Sequence, residues 1–268
     1  MTDFPNPDPS SLNQVDAEET ASASAAGCSS GPALENGLLC AWQTAAQRLG
    51  LTISETAPYL RLYQAIVEYN RRLNLTRITE PADFFYRHLL ESLALATYLP
   101  KHATVLDMGT GGGFPALPLA IYRPDLAVTA VDSVQKKCAA VADITQQLGL
   151  GNLRVCPGRS EDLGQQRQYR QKFMVVTARA VAPLPVLLEL TLPFLAMGGQ
   201  LLALKSTQYA TELAQAERAL KLLGGAFEEA QPLAVTEGYQ TVVLRFSKVQ
   251  KTPAAYPRRA GVPSKNPL

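Results

Sequence analysis

The sequence of 268 residues lacks several features that would assign a function class directly. Its cysteines, Cys28, Cys40, Cys138 and Cys156, form no CxxC pair and no metal-ligand spacing, so we expect reduced thiols and no metal site. No apolar stretch approaches the roughly 18 residues of a membrane span. The N-terminal segment lacks a basic patch followed by an apolar run. We therefore expect a cytoplasmic protein without a secretory signal or membrane segment.

Basic residues are scarce at one end of the chain and acidic residues at the other. Residues 1–56 carry seven acids and one base, whereas residues 245–268 carry six bases and no acid. Residues 1–33 are rich in Ser, Ala and Pro, which predicts a disordered extension. The basic, Pro-rich segment 248–268 is typical of a tail that binds an anionic partner such as RNA, or of a tail that is merely solvated.

From residue 103 onward, short apolar strands alternate with helical stretches, which predicts a parallel sheet covered by helices on both faces. The predicted strands are 104–108, 127–132, 153–156, 173–178, 200–204, 227–235 and 239–247. The predicted helices are 115–122, 134–148, 183–195 and 207–223. The last two strands meet at Glu237-Gly238, which indicates an antiparallel hairpin. A seven-stranded, mostly parallel sheet with such a hairpin is typical of Rossmann-like methyltransferases, whereas dehydrogenases normally end in another parallel strand.

Helices are also predicted upstream of the sheet, at 34–49, 54–73 and 83–99. We therefore expect four regions along the chain. They are an extension over 1–33, an N-terminal helical region over 34–100, a methyltransferase domain over 101–247 and a basic tail over 248–268.

The stretch VLDMGTGGGFPALPLA at 105–120 places a glycine loop after the first predicted strand. The dinucleotide fingerprint GxGxxG fails here, because Phe114 stands where the third glycine should be when the count starts at Gly109. Asp107, two positions before Gly109, would repel a pyrophosphate but suits the ammonium group of S-adenosyl-L-methionine. The loop therefore favours S-adenosyl-L-methionine over NAD as the cofactor.

Residues after the second, third and fourth strands complete the predicted cofactor site. Asp132 ends the second strand, where a carboxylate can accept both hydroxyls of a ribose. We expect Ser133 and Val134 to border the adenine, and Ser160 and Glu161 to contact its amino edge. After the fourth strand, Arg179 is predicted to hold the cofactor carboxylate or an RNA phosphate.

The region after the fourth predicted strand lacks two well-known methylation motifs. VVTARAVAP at 175–183 contains no Asn/Asp-Pro-Pro-aromatic stretch and no cysteine nucleophile, and no general base is evident. Guanine N7 carries a free lone pair, so its methylation needs alignment of the reactants but no deprotonation. The predicted RNA-contacting groups are the Asn70-Arg71-Arg72 run, Arg77, Arg87-His88, Lys205 and the basic tail.

Taken together, the chain resembles the 16S ribosomal RNA guanine-N7 methyltransferases, also called the glucose-inhibited division protein B family. The matching stretches are YNRRLNLTRIT (69–79), RHLLES (87–92), VLDMGTGGGFPALPLAI (105–121), VDSVQKK (131–137), ARAVAPL (178–184), ALKS (203–206) and YPRRAGVPSKNPL (256–268). Glu91 departs from the family's usual Asp, and Ala116 stands where a glycine is usual.

The resemblance implies a class I enzyme that methylates N7 of one guanosine in the 530 loop of 16S rRNA, guanosine 527 in standard rRNA numbering. It places the cofactor contacts on eight residues: Gly109, Phe114, Asp132, Ser133, Val134, Ser160, Glu161 and Arg179. The partner would be 16S rRNA or the small ribosomal subunit, and the enzyme would act as a monomer.

Two other functions on the same fold stay open: a small-molecule methyltransferase and a non-catalytic ribosome-assembly factor. The basic tail offers a way to separate the first from the rRNA enzyme. On the sequence alone, deletion of residues 250–268 should weaken RNA methylation and leave small-molecule turnover unchanged.

Overall fold

One seven-stranded sheet organises the computed structural model, which describes residues 32–233 and 241–268. The strands are β1 Thr104–Met108, β2 Ala127–Asp132, β3 Leu153–Pro157, β4 Phe173–Arg179, β5 Leu195–Ser206, β6 Gly225–Leu233 and β7 Thr241–Lys248. Their spatial order is β3-β2-β1-β4-β5-β7-β6. Strands β1 to β5 are parallel, and β7 is antiparallel to both β5 and β6. This topology confirms the predicted Rossmann-like class; the expected turn at Glu237-Gly238 lies outside the described residues.

Helices precede, connect and follow the strands. They are α1 Pro32–Arg48, α2 Ala57–Asn70, α3 Pro81–Asp83, α4 Glu91–Ala94, α5 Ala116–Tyr122, α6 Gln135–Gln147, α7 Ser160–Leu163, α8 Leu184–Thr191, α9 Tyr209–Gln215, α10 Glu217–Leu223 and α11 Val262–Lys265. A π-helix over Phe84–Leu90 links α3 to α4, and 3-10 turns follow α4 and α8. The first helix begins at Pro32, inside the segment predicted to be disordered; residues 1–31 lie outside the described part of the chain.

Several predicted elements differ from the structure: the helix predicted at 54–73 spans Ala57–Asn70, and the helix predicted at 183–195 ends at Thr191 and is followed by a 3-10 turn and β5. Three further differences have identifiable reasons. The helix predicted at 83–99 is a succession of α, π and 3-10 segments; in its π part the Glu91 N–H bonds the Tyr86 carbonyl, five residues back. The helix predicted at 207–223 is interrupted at Ala216. Strand β5 begins at Leu195 rather than 200, because the pairing with β4 continues through a bulge that contains Gly198.

The two faces of the sheet pack against different apolar clusters, as alternation along a strand requires. Val105 of β1 lies in one cluster and Leu106 in the other. The first cluster also contains Trp42 of α1 and Leu62 of α2, so the N-terminal helices share a core with the sheet. Packing against that face is what holds the N-terminal segment beside the carboxyl ends of the strands.

The chain reverses its direction of winding between β1 and β4. Strands β2 and β3 extend the sheet from one side of β1, and β4 and β5 extend it from the other. In open α/β sheets a crevice forms outside the carboxyl ends of the strands at such a switch point. The glycine loop that follows β1 lies at this position.

Candidate functional site

A cleft of about 740 Å³ opens at the carboxyl ends of the central strands. Its walls come from the loops after β1, β2, β3, β4 and β5, and from the N-terminal segment that precedes the sheet. Seven of the eight predicted cofactor residues line it: Gly109, Phe114, Asp132, Ser133, Ser160, Glu161 and Arg179. Val134 is outside the lining and 45% exposed; its N–H donates to Asp132 Oδ1, so it holds the carboxylate.

Backbone geometry explains the glycines of the loop at two positions. Gly109 has a backbone φ of +69°, which residues other than glycine rarely adopt. A Cβ at this position would also lie 2.7 Å from Val181 Cγ2. Above Gly111, by contrast, a Cβ would meet only the Gly109 carbonyl oxygen within 4 Å, at 3.9 Å. The missing side chain at Gly111 therefore leaves open cleft, in which a ligand can approach the backbone.

Asp107 lies beneath the glycine loop, which corrects the expectation that it binds a ligand ammonium. Its side chain is 1% exposed and does not line the cleft. One oxygen accepts from the Thr177 hydroxyl and the other from the Ala116 N–H, at the start of α5. Burial raises the pKa of Asp107 to about 6, and these hydrogen bonds oppose the rise. The carboxyl group therefore supports the loop from below.

Asp132 presents a carboxylate at the end of β2 that the backbone orients on both sides. Its Oδ2 accepts from the Gly111 N–H at 2.9 Å, and its Oδ1 accepts from the Val134 N–H at 2.8 Å. A carboxylate has about four acceptor sites, so two remain for hydroxyl groups. The two free acceptor sites fit the two hydroxyls of a ribose that lies beside the exposed backbone of Gly111.

Ser160 and Glu161 lie beside Asp132, at the start of α7. The Ser160 hydroxyl donates to the Leu190 carbonyl, and Glu161 Oε1 accepts from the Gly261 N–H at 2.8 Å. Both residues are buried yet line the cleft. They are positioned for the adenine end of a nucleoside, but each already makes a bond within the protein.

Arg179, His88, Phe114 and Glu91 form a polar and aromatic network on the opposite wall. Arg179 Nη1 donates to the Arg87 carbonyl and lies 3.8 Å from Glu91 Oε2, while Nη2 is 2.8 Å from His88 Nδ1. The His88 and Phe114 rings stack with centroids 4.3 Å apart. The guanidinium lies 5.5 Å from the Phe114 centroid. Arg179 therefore enters the cleft already oriented by the protein.

The protonation state of His88 follows from these contacts. A guanidinium only donates, so His88 Nδ1 accepts from Arg179 and Nε2 carries the proton, which it donates to Thr76 Oγ1 at 2.6 Å. Burial, with the charges of Arg179 and Arg87, lowers the pKa of His88 to about 3. Burial also raises the pKa of Glu91, whose Oε1 accepts from the Thr241 hydroxyl. His88 is neutral at physiological pH.

The N-terminal wall depends on a loop whose role the sequence did not reveal. Asn70 clamps it: its Oδ1 accepts from the N–H groups of Leu75 and Thr76, and its Nδ2 donates to the Thr76 carbonyl. The Leu75 carbonyl would lie 3.2 Å from a Cβ placed on Gly112, so this loop packs on the glycine loop. Asn70, predicted to contact RNA, is thus a structural clamp. The YNRRLNLTRIT stretch marked the region but not this role.

Two other residues that were predicted to contact RNA instead make ion pairs within the protein. Lys205 Nζ donates to the Ala182 carbonyl and pairs with Glu212 Oε2 at 2.6 Å. Arg258 pairs with the fully buried Glu189. By contrast, Arg72, Arg77, Lys251, Arg259 and Lys265 are exposed.

The residues present fit S-adenosyl-L-methionine better than a metal ion or a pyrophosphate. The open floor at Gly111 and the free acceptor sites of Asp132 suit a ribose, and the cleft has room for an adenine and an amino-acid chain. Within residues 32–233 and 241–268, no group of three or more His, Cys, Asp or Glu is placed to hold a metal ion. In the same part of the chain, no helix has the length and apolarity needed to cross a membrane.

Comparison with known proteins supports this interpretation. Residues 56–238 match the family described as rRNA small subunit methyltransferase G. Ribosomal RNA small subunit methyltransferase G of Leuconostoc citreum is 40% identical over 225 residues, which is 82% of this chain and 94% of that protein. The protein of the same name from Brevibacillus brevis is 40% identical over 228 residues, 84% of this chain and 95% of that one.

Solved structures support the fold. A SAM-dependent methyltransferase from Aquifex aeolicus aligns with a TM-score of 0.50 at 15% identity, covering 70% of this chain and 98% of that one. M. jannaschii TYW2, solved in complex with AdoMet, also aligns with a TM-score of 0.50, at 17% identity over 59% of this chain and 75% of that one. At this identity the likeness concerns the fold alone.

Proposed function

The chain belongs to the rRNA small subunit methyltransferase G family, and we propose that it methylates N7 of one guanosine in the 530 loop of 16S rRNA. The nucleotide is guanosine 527 in standard rRNA numbering. The methyl donor is S-adenosyl-L-methionine. What carries the proposal beyond family membership is a cleft at the carboxyl ends of the strands whose oriented Asp132 carboxylate and open backbone at Gly111 suit this cofactor.

The proposed cofactor contacts are the predicted residues that line the cleft. Asp132 accepts from the ribose hydroxyls, the backbone at Gly109 and Gly111 lies against the amino-acid part, and Ser133 and Ser160 border the adenine. Phe114, Glu161 and Arg179, which also line the cleft, complete the proposed set of cofactor contacts. Bound there, S-adenosyl-L-methionine supplies an electrophilic methyl group on a sulfonium.

Methylation at N7 requires no general base from the cleft. Among the described lining residues, the lone pair of the neutral His88 ring accepts from Arg179, while Glu91, Asp132 and Glu161 accept from Thr241, Gly111 and Gly261 and keep further acceptor sites. Guanine N7 attacks with its own lone pair, so no proton has to leave. Alignment alone can lower such a barrier by several kcal/mol.

The charge around Arg179 is compatible with a cationic product. Methylation at N7 leaves the guanine ring positively charged, which an unpaired guanidinium would oppose. Arg179 is instead paired with Glu91 and bonded to the Arg87 carbonyl. The local charge is thus balanced within the protein wall.

The enzyme acts on an rRNA substrate, so we propose that it works in the cytoplasm, where ribosomes are assembled. We also propose that it acts as a monomer. Light scattering during gel filtration tests the second point. A mass near twice 28.9 kDa would contradict it.

The test of the proposed reaction offers methyl-labelled S-adenosyl-L-methionine with three acceptors: naked 16S rRNA, small ribosomal subunits and free guanosine. Label in N7-methylguanosine of rRNA or subunits supports the proposal. Label in free guanosine alone would indicate a small-molecule methyltransferase. Cofactor binding without transfer to any acceptor would favour an assembly factor.

A further inference from the structure

The C-terminal stretch YPRRAGVPSKNPL is docked on the protein, although its composition suggested a solvated tail. We call residues 252–268 the C-terminal strap. The Arg170 guanidinium fastens its start, donating to the carbonyls of Thr252, Pro253 and Tyr256. Gln165 Nε2 donates to the Pro257 carbonyl at 2.8 Å. A Cβ on Gly164 would lie 2.8 Å from Pro257 Cγ, so the strap lies directly on the backbone after α7.

A buried ion pair fixes the middle of the strap. Glu189 of α8 is fully buried, and both of its oxygens accept from Arg258 Nε, while Oε2 also accepts from Nη2 at 2.6 Å. The Arg258 N–H donates to Glu189 Oε1 as well. A buried carboxylate is strongly disfavoured without a partner of this kind. The pair therefore sets the register of the strap on α8.

Beyond Arg258 the strap reaches the cofactor cleft. The Gly261 N–H donates to Glu161 Oε1 at 2.8 Å, and Ser264 is part of the cleft lining. Pro263 is buried between these two positions, and Leu268 packs against the apolar cluster on that face of the sheet. The strap thus supplies part of the wall at the end where Ser160 and Glu161 lie.

From these contacts we propose that the C-terminal strap closes the adenosine end of the cofactor site, with Arg258 and Glu189 as positioning residues. Glu161 also holds the strap in place, because its Oε1 accepts a hydrogen bond from the Gly261 N–H. The inference rests on the proposed function, since it assumes that S-adenosyl-L-methionine occupies the cleft. It assigns the strap to cofactor binding rather than to RNA binding alone.

The contacts of the strap change what can be concluded from deleting residues 250–268. Removal of residues 250–268 would take away Ser264 and the partner of Glu189 together with three exposed bases, Lys251, Arg259 and Lys265. The deletion therefore does not separate RNA methylation from small-molecule methylation. Single substitutions within the strap are needed instead.

The test compares Arg258→Gln with Arg259→Gln in the full-length protein. Arg258 is paired with buried Glu189, whereas its neighbour Arg259 is exposed. We expect R258Q to raise the dissociation constant for S-adenosylhomocysteine ten-fold or more by calorimetry, and R259Q to leave it within two-fold of wild type. With R258Q, the KM for S-adenosyl-L-methionine should rise while kcat at saturating cofactor stays near wild type.

Hydrogen exchange of the wild-type protein covers the case in which R258Q fails to fold, which circular dichroism will show. We expect S-adenosylhomocysteine to slow exchange in the peptide that contains Gly261 and Ser264. Equal affinity of folded R258Q and wild type, or strap exchange unchanged by the ligand, would overturn the inference while the proposed function stands. If wild type binds no S-adenosylhomocysteine, the proposed function fails and the inference fails with it.

Discussion

A carboxylate held by backbone N–H groups on both oxygens, as Asp132 is, has its orientation fixed before a ligand arrives. Pre-orientation of this kind reduces the ordering cost of binding. The Gly111 N–H ties Asp132 to the glycine loop, so one side chain links the ends of β1 and β2. Asp132 is therefore expected to contribute to cofactor affinity both directly and through the loop.

Substitution of Asp132 by Ala should weaken the binding of S-adenosylhomocysteine by about 1–3 kcal/mol, because charge-assisted hydrogen bonds to the ribose are lost. Calorimetry measures the change. Asp162→Ala is the matched control, since Asp162 is exposed and does not line the cleft. An unchanged affinity in the Asp132 variant would mean that this carboxylate only caps the backbone.

The neutral His88 makes the stability of the protein depend on pH in a defined direction. Its pKa is about 3 when folded, against 6.5 as the ordinary value, so unfolding takes up a proton between these limits. The free energy of unfolding should therefore fall as the pH drops below about 6.5. Asp107 has the opposite effect between 3.8 and about 6, because its raised pKa lets the folded protein hold an extra proton.

A variant isolates the His88 contribution from that of Asp107. Between about pH 7.5 and about pH 5, wild type should lose about 2 kcal/mol more unfolding free energy than His88→Asn. Denaturant titrations at the two pH values measure this. Asn can still accept from Arg179, and His102→Asn is the control because His102 is exposed and its φ of 57° suits Asn. Equal pH dependence in H88N and wild type would contradict the assignment of a neutral His88.

Among the elements, the loop between α2 and α3 joins the N-terminal helices to the cofactor site. Leu75, Thr76 and Ile78 line the cleft, and Asn70 at the end of α2 fixes the loop's path. The N-terminal region thus contributes a wall of the site as well as apolar core.

Asn70→Ala should lower thermal stability by several degrees and also weaken cofactor binding, because the loop loses three hydrogen bonds. Differential scanning calorimetry with and without S-adenosylhomocysteine measures both effects. Asn74 lies on the same loop but is exposed, so Asn74→Ala should behave as wild type. If both variants had the same melting temperature as wild type, the hydrogen bonds of Asn70 would not contribute to stability.

Sequence patterns predicted the elements well where the patterns were simple. Strands β1 and β2 have the predicted bounds, because apolar runs bounded by turn residues allow few alternatives. The π-helix over Phe84–Leu90 was not predicted, because the helix over 83–99 was inferred from the residues at its two ends, and these do not distinguish a π turn from an α turn. The prediction for Asp107 was wrong, because a position at a strand end does not determine whether a side chain faces a ligand or the core, and this side chain is buried.

At the scale of the whole molecule, the site joins segments far apart in sequence. The Arg179–His88 contact spans 91 residues, and the Glu161–Gly261 contact spans 100. Local motifs identified most of the residues on the cleft wall but could not show that Arg179 is held by His88, or Glu161 by the strap. Such pairings depend on topology, which brings loop ends together at one edge of the sheet.

The exposed bases of the N-terminal loop are the expected RNA-binding groups. Arg72→Ala and Arg77→Ala should each weaken 16S rRNA binding and reduce the slope of log K against log salt by about one, with cofactor affinity unchanged. Filter binding over a salt series measures both. Lys101→Ala is the control, because Lys101 is exposed and lies just before the amino end of β1, whereas the cleft is at the carboxyl ends of the strands. If both Arg variants showed the same slope of log K against log salt as wild type, neither residue would contact the RNA backbone, and the RNA would bind another surface.

The most direct test of the central claim is a map of N7-methylguanosine in 16S rRNA from cells with and without this gene. The proposed function predicts that deletion removes a single N7-methylguanosine, in the 530 loop. Re-expression of the wild-type chain should restore it, and re-expression of the Asp132→Ala chain should restore it poorly. An identical methylation map with and without the gene would contradict the account.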